Sequence, residues 1–302
     1  MAIEQPIVSI CIPVKDFDVN PLVLALLNEI RIENLKAEIL IVEDGSSLAA
    51  CAINKNITLE KEVRLYTFPE NKGRSTARNY LAKMSHGTYL IFIDADSIPI
   101  HPRFISHYLA NIQANTILCG GRHYSPLYKT KNSQLHWKYG TKREVRHASG
   151  DDRTRFYSNN FLVEKSTFET IRFDESIVLY GHEDTLFGYV AKTKGVQSLA
   201  IENAVIHTSI ETNEVFLSKI EESVFSLKQI IQQQDLYSEC LRYEFTLWNT
   251  YEKLSTFRLL WIIRGLSFFK KPMRYSLVHF SGPLVVLDFY KLVLLDNALK
   301  KQ

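Results

Sequence analysis

Two stretches decide the fold: ILIVEDGSS at residues 39–47 and YLIFIDADS at residues 89–97. Each begins with a short, almost wholly apolar run and ends in acidic residues. Such runs are typical of parallel strands that are covered on both faces. Ligands of open parallel sheets bind outside the carboxyl ends of the strands. We therefore expect Asp44, Asp94 and Asp96 to lie at one ligand-binding edge.

The flanking sequence extends this pattern into an open α/β sheet. Further strands are predicted at 7–13 and 64–68, and helices with apolar residues at helical spacing at 21–32 and 74–84. Beyond residue 211 the pattern indicates helices alone, including one over 254–269. We predict an α/β domain over 1–210 and a helical region over 211–302.

Composition limits the class of protein. The 302 residues are 46% hydrophobic and 23% charged, as in a globular protein, and the net charge of +3 is too small to indicate nucleic-acid binding. The start MAIEQPIVSICIPVKD lacks the basic and apolar segments of a secretory signal, and the four cysteines form no metal or disulfide pattern. A cytoplasmic location is expected.

The charge is unevenly distributed. Residues 250–302 contain nine Lys or Arg and three acidic residues, interleaved with aromatic side chains. Such a tail is consistent with peripheral association with the inner face of a membrane through the C-terminal helices. The alternative is an apolar face that packs on the rest of the chain or on a partner subunit.

Three acidic segments and one glycine carry candidate chemistry. Asp94-Ala95-Asp96 spaces two carboxylates to share a divalent cation, although such acids also close strands as turn residues. Asp44 could accept a hydrogen bond from a base or ribose. Gly73 precedes a helix that carries Arg74 and Arg78, which could face a pyrophosphate or lie solvated on an exposed helical surface. Glu183-Asp184 could supply a base and a hydroxyl-binding carboxylate, or only favour a helix start.

Six ordered segments together resemble family 2 glycosyltransferases. They are IVSICIPVKD, EILIVEDGSS, ENKGRSTARN, YLIFIDADS, YSNNFLVEKSTF and FDESIVLYGHEDTLFGYVAK, and they span about the first 210 residues. The resemblance implies a GT-A fold, a Rossmann-like nucleotide-diphospho-sugar transferase domain, here with a C-terminal α-helical extension. It also implies inverting, metal-dependent transfer of a hexosyl or N-acetylhexosaminyl group from a nucleotide sugar. We expect the donor to be a UDP-sugar. The acceptor would be a glycan or lipid-linked oligosaccharide in cell-surface polysaccharide synthesis.

The resemblance assigns roles to matched residues. The donor would contact the chain through Pro13, Val14, Asp44, Gly73, Arg78, Asp94, Ala95 and Asn160, with Asp44 on uracil and Asn160 beside the sugar. Asp96 and His207 would ligate Mn²⁺ or Mg²⁺. Asp184 would be the catalytic base, and Glu183 would hold the acceptor or the donor.

Some positions depart from the family pattern, and two other interpretations stay open. Lys15-Asp16 stands where an aromatic residue and Asn are frequent, Glu43 replaces an Asp, and His182 replaces a small residue. One alternative is a non-catalytic subunit of the same fold that binds a glycan or a partner. The other is a haloacid-dehalogenase-type phosphotransferase, but that class carries its DxD on the first strand.

Overall fold

The computed structural model describes residues 7–145, 156–177 and 179–300. The chain divides into two compact units. The first comprises Met1–Ser125, Val145–Val178 and Leu186–Ser209, and the second comprises Pro126–Glu144, Leu179–Thr185 and Ile210–Gln302. Among the described residues, no helix combines the length and the apolar composition needed to cross a membrane.

All the described strands belong to the first unit. They are β1 (Val8–Val14), β2 (Ala37–Asp44), β3 (Val63–Phe68), β4 (Tyr89–Ile93), β5 (Ser97–Pro99), β6 (Thr116–Cys119), β7 (Arg122–His123), β8 (Asn160–Glu164), β9 (Gln197–Ala200) and β10 (Val205–His207). Seven of them form one sheet in the order β3-β2-β1-β4-β8-β6-β9, and the other three form a small sheet in the order β5-β10-β7.

The large sheet is mixed rather than wholly parallel. Strands β1, β2, β3 and β4 pair in parallel, with Ile10 level with both Ile39 and Ile91. Strand β8 runs antiparallel to both β4 and β6. The parallel arrangement predicted for the first four strands is confirmed, and β8 adds an antiparallel strand whose direction the sequence did not predict. Because β2 and β4 are both parallel to β1, the acidic residues at their ends share one edge.

The described helices connect the strands and then continue alone. They are α1 (Asn20–Ile32), α2 (Leu48–Asn54), α3 (Arg74–Met84), α4 (Phe104–Ala110), α5 (Gln134–Tyr139), α6 (Lys165–Ile171), α7 (Glu183–Thr193), α8 (Asn213–Gln232), α9 (Gln234–Glu244), α10 (Thr246–Thr256), α11 (Leu260–Leu266), α12 (Lys270–Phe280) and α13 (Leu284–Lys300).

The first unit buries both faces of its sheet. In β1, Ile10 and Ile12 join the core cluster on one face, while Cys11 joins the cluster on the other. The second cluster is rich in aromatic residues, and the rings of Phe173 and Phe187 stack with centroids 4.2 Å apart. Burial on both faces explains why these strands are almost wholly apolar in sequence.

The second unit is helical. The predicted apolar face of α8, Phe216, Ile220, Val224, Leu227 and Ile231, is buried. The helix predicted over 254–269 is instead α10 and α11, separated at Arg258, whose φ of 58° is left-handed and ends a helix. The second unit contains Leu179–Thr185, which lies before the boundary predicted at residue 210.

Candidate active site

Asp44, the last residue of β2, holds the segment that leads into α3. Its Oδ1 accepts the backbone N–H of Lys72 at 2.7 Å, and its Oδ2 accepts that of Gly73 at 3.0 Å. The side chain is buried, at 5% exposure. Asp44 therefore orders the glycine turn before α3. The contact of Asp44 with a nucleotide base stays a prediction, and the base would have to bond to the same two oxygens.

Gly45 is required by the same turn. Its φ is +66°, and a Cβ built on it would lie 2.2 Å from the backbone nitrogen of Asn71. Any other residue would be strained and would also displace the backbone before Gly73.

The ends of β1 and β2 are tied together by a polar network. The backbone N–H of Asp16 donates to Ser46 Oγ at 2.9 Å, and Asp16 Oδ1 accepts the N–H of Ser47 at 2.8 Å. Buried Glu43 accepts from Asn54 Nδ2 at 2.6 Å. The departures from the family pattern at Asp16 and Glu43 therefore serve to fix the loop that follows Pro13 and Val14.

Asp94, one residue beyond β4, lies between two guanidinium groups. Arg78 approaches one carboxylate oxygen at 3.2 Å, and Arg122 approaches the other at 2.8 Å. Arg78 is 1% exposed and lies 5.0 Å from the ring centroid of Phe173. The alternative of two solvated arginines on α3 is wrong for Arg78, although Arg74 is exposed. The buried guanidinium of Arg78 therefore orients the carboxylate of Asp94. The sequence did not predict the role of Arg122, because this residue belongs to no recognisable motif.

Asp96 and His207, the two predicted metal ligands, lie close together. Antiparallel pairing of β5 with β10 sets Ser97 opposite His207, and Asp96 Oδ1 lies 3.3 Å from His207 Nδ1. The backbone carbonyl of Asp96 accepts the N–H of Thr208 at 2.8 Å, which fixes the segment. His207 is 3% exposed, and its ring packs edge-on against Tyr124 at 5.3 Å.

The electrostatics at Asp96 favour its carboxylate form. Burial raises the pKa of Asp96, but contact with His207 and the positive charges of Arg122 and Arg74 lower it by more, so the net pKa is below its ordinary value. A carboxylate oxygen beside an imidazole nitrogen is a chemically suitable pair of ligands for Mn²⁺. The described residues contain no group of three or more His, Cys, Asp or Glu side chains that could hold a metal ion.

Asn160, predicted beside the donor sugar, is enclosed. Its side chain is 0% exposed, donates to the carbonyls of Asn203 at 2.8 Å and Gly121 at 3.2 Å, and accepts from the Tyr108 hydroxyl at 2.7 Å. Its amide hydrogens and oxygen are thus engaged within the protein. We correct the prediction: Asn160 joins β8 to neighbouring segments from within and presents no surface to a sugar.

In the second unit, the segment before Asp184 is fastened to α8. The backbone N–H of Tyr180 donates to Glu222 at 3.0 Å, and Ser226 Oγ donates to the carbonyl of Gly181 at 3.2 Å. The His182 ring lies 3.0 Å from the carbonyl oxygen of Ser223. Gly181 and His182 have φ values of 92° and 74°, so the chain turns sharply before Glu183 begins α7. Nothing in the sequence indicated that α8 supplies these contacts.

The two acidic residues of this segment differ in environment. Glu183 is buried at 6% exposure, whereas Asp184 is partly exposed and its Oδ1 accepts the N–H of Thr185 at 2.7 Å. Asp184 is therefore the more accessible of the two.

Within the second unit, a cavity of about 600 Å³ has Leu179 in its wall; its other lining residues are Ser218, Glu221, Glu222, Phe225, Lys228, Gln229 and Gln232.

Comparison with known proteins identifies the family. The family model described as glycosyl transferase family 2 matches residues 9–172, more than half of the chain. The chain belongs to glycosyl transferase family 2. This glycosyltransferase is also 24% identical over 187 residues to an uncharacterized glycosyltransferase of Haemophilus influenzae, an alignment that covers 61% of this chain and 71% of the relative.

Solved structures show that the glycosyltransferase has the GT-A fold. A mannosyltransferase of Pyrobaculum calidifontis, PcManGT, in complex with GDP-Man and Mn²⁺, is 12% identical and superposes with a TM-score of 0.56 over 99% of this chain and 88% of its own. Residues 1–349 of S. aureus TarS in complex with UDP are 15% identical, with a TM-score of 0.51 over 98% and 92% of the two chains. The predicted fold, a GT-A domain with a helical C-terminal extension, is confirmed.

Proposed function

We propose that this glycosyltransferase is an inverting, metal-dependent enzyme that transfers a hexosyl or N-acetylhexosaminyl group from a nucleoside diphosphate, UDP in particular, to an acceptor hydroxyl. The observation that carries the proposal is the contact between Asp96 and His207. Residues more than a hundred positions apart bring a carboxylate and an imidazole to 3.3 Å, next to Asp94 and its two arginines. Such a combination is suited to a metal-bound diphosphate.

On the donor side, the chain contributes binding and orientation. Asp96 and His207 would hold Mn²⁺ or Mg²⁺, which when bound neutralises charge on the departing diphosphate. Asp94, oriented by Arg78 and Arg122, would accept hydrogen bonds from the ribose. Asp44 would hold the turn at Gly73 toward the nucleotide and accept a hydrogen bond from the base, while Pro13 and Val14 would line the nucleotide pocket. Ala95 would allow the donor close approach between the two aspartates.

On the acceptor side, Asp184 would remove the proton from the attacking hydroxyl. The acceptor oxygen forms a bond to the anomeric carbon as the bond from that carbon to the diphosphate oxygen breaks on the opposite face, which inverts the configuration. The proton goes to Asp184, and the electron pair leaves with the nucleoside diphosphate. Partial exposure of Asp184 supports its role as the base, and Glu183, the less accessible of the two, would hold a hydroxyl.

The acceptor would be a glycan or a lipid-linked oligosaccharide in cell-surface polysaccharide synthesis, extended at the cytoplasmic face of a membrane. The cavity that has Leu179 in its wall supports a sugar acceptor, because it offers hydroxyl, carboxylate, amide and ammonium groups on one surface.

Thermal shift against UDP-sugars and GDP-sugars, with and without Mn²⁺, tests the proposal. A donor at about 100 times its Kd adds about 2.7 kcal/mol of stability. We expect one UDP-sugar to stabilise the wild type only with Mn²⁺ and Asp96→Asn to lose that effect. Glu169→Gln, which changes an exposed carboxylate of α6, should keep it. A shift equal with and without Mn²⁺, or no shift with any donor, would favour a non-catalytic binding subunit.

A further inference from the structure

The exposed side of α11, α12 and their flanking residues differs from the rest of the surface. Eight large apolar side chains between residues 257 and 280 are exposed to solvent: Phe257, Leu259, Trp261, Ile262, Phe268, Phe269, Tyr275 and Phe280. The same stretch contains five Lys or Arg residues and no Asp or Glu. We propose that this surface, the 257–280 surface, docks onto an anionic phospholipid membrane.

The apolar side chains of this surface are not part of a core. Helix α11 uses Ile263 to join a buried cluster with Leu292 and Val293, and α12 buries Leu277. The outward face of α12 carries Lys271, Tyr275 and His279 at intervals of four residues, all exposed. The inward faces of α11 and α12 therefore already contribute to the core. On the outward face, the ring of Tyr275 packs against its near neighbours in sequence, His279 at 4.3 Å and Phe280 at 5.9 Å.

The positive charge is available to an external partner. Arg274 pairs with Glu221 at 3.0 Å and Arg264 lies 3.8 Å from Asp296, but no salt bridge among the described residues neutralises Arg258, Lys270 or Lys271. Phe257 directly precedes Arg258 and Phe269 directly precedes Lys270, and the two rings are 71% and 58% exposed. Aromatic rings and basic side chains together are favourable at the boundary between lipid headgroups and acyl chains.

A membrane fits this composition better than a protein partner does. Lysine is depleted in the cores of protein interfaces, whereas it is enriched on surfaces that bind anionic lipid. A symmetric dimer through the same surface would bring two copies of an uncompensated positive patch together. An anionic phospholipid membrane offers negative headgroups to the basic side chains and an apolar acyl layer to the aromatic rings. The inference does not rest on the proposed reaction, because docking requires no nucleotide sugar.

Flotation of the full chain with vesicles tests the proposal. We expect binding to vesicles of equal parts phosphatidylcholine and phosphatidylglycerol, and much weaker binding to phosphatidylcholine alone. Replacing both Lys270 and Lys271 by Gln should lower partitioning about 25-fold, since each basic residue near an anionic surface is worth about five-fold. The matched control replaces Lys55 and Lys61, exposed lysines of the first unit, by Gln and should change partitioning less than the paired variant.

A second pair of variants tests the contribution of the apolar side chains to vesicle binding. Phe268→Ser removes a ring that is 89% exposed and should weaken binding about ten-fold, whereas Leu127→Ser removes a side chain that is 90% exposed elsewhere in the second unit and should not. The emission of Trp261, which is 69% exposed, should shift to the blue with anionic vesicles. Equal binding by all variants and controls, or no binding to anionic vesicles, would overturn the proposal. Lipid-independent self-association that Phe268→Ser abolishes, without vesicle binding, would assign the surface to a second copy instead.

Discussion

Nε2 of His182 lies 3.0 Å from the carbonyl oxygen of Ser223, so the imidazole donates a hydrogen bond from Nε2 to the backbone of α8. The ring also packs against Phe245 at 5.1 Å. Burial lowers the pKa of His182 from its ordinary value of 6.5 and outweighs the opposing effects of Ser223 and Glu183. The turn that precedes Asp184 is therefore anchored by a neutral histidine.

This anchor predicts a pH dependence of stability. Because the pKa of His182 is lower in the folded than in the unfolded chain, its contribution is complete above pH 6.5 and falls as the pH drops below that value. The decline is at most about 1.4 kcal/mol per pH unit for one proton. His182→Asn removes the titration and tolerates the positive φ. Urea unfolding of both proteins between pH 7.5 and 5.5 should give a steeper loss for the wild type, and parallel profiles would contradict the prediction.

Asp184→Asn should separate transfer from donor binding. The substitution keeps the shape of the side chain but removes its basicity, so we expect kcat to fall about 100-fold or more. The Mn²⁺-dependent thermal shift with donor should stay within error of the wild type, since Asp184 takes no part in the proposed donor contacts. Release of nucleoside diphosphate in the presence of acceptor measures kcat. Wild-type turnover in the variant would remove Asp184 from the role of base.

The parts of the site that the sequence predicted are those with a local signature. Asp44 and Asp94 follow apolar strands, and strand direction alone takes them to one edge of the sheet. The contact of Asp96 with His207 has no local signature, since nothing in the sequence pattern pairs two short strands so far apart in sequence, and family resemblance supported it.

Other parts of the site have no such signature. Arg122 reaches Asp94 from a two-residue strand, and α8 holds the segment before Asp184 through backbone and hydroxyl groups that any helix could offer. Asn160 was misassigned because a motif gives residue identity but not burial. Tertiary packing decides these three features, and single-sequence patterns contain little information about it.

Replacing Gly45 should damage the donor side much more than replacing another left-handed glycine. At Gly195, with φ +75° and open space around its Cβ position, Ala should cost about 1–2 kcal/mol of backbone strain. At Gly45 the methyl group would also meet the backbone of Asn71, which adds about 1–3 kcal/mol and displaces the turn before Gly73. Urea unfolding should rank the two variants, and only Gly45→Ala should weaken the donor-dependent thermal shift. Equal losses of stability and of donor response in the two variants would show that the backbone at Asn71 moves away from the methyl group at little cost.

The contact between Asp96 and His207 predicts a non-additive loss of metal binding. If both side chains hold one ion, Asp96→Asn and His207→Ala should each lower the apparent Mn²⁺ affinity, measured by donor-dependent thermal shift, about ten-fold or more. The double variant should lose less than the sum of the two free-energy changes, because either substitution alone disrupts the same site. His101→Ala, which removes an exposed histidine of the first unit, is the control and should leave the affinity unchanged. Strict additivity would mean that the two residues act independently, with His207 supporting Asp96 through packing against Tyr124 rather than binding the ion.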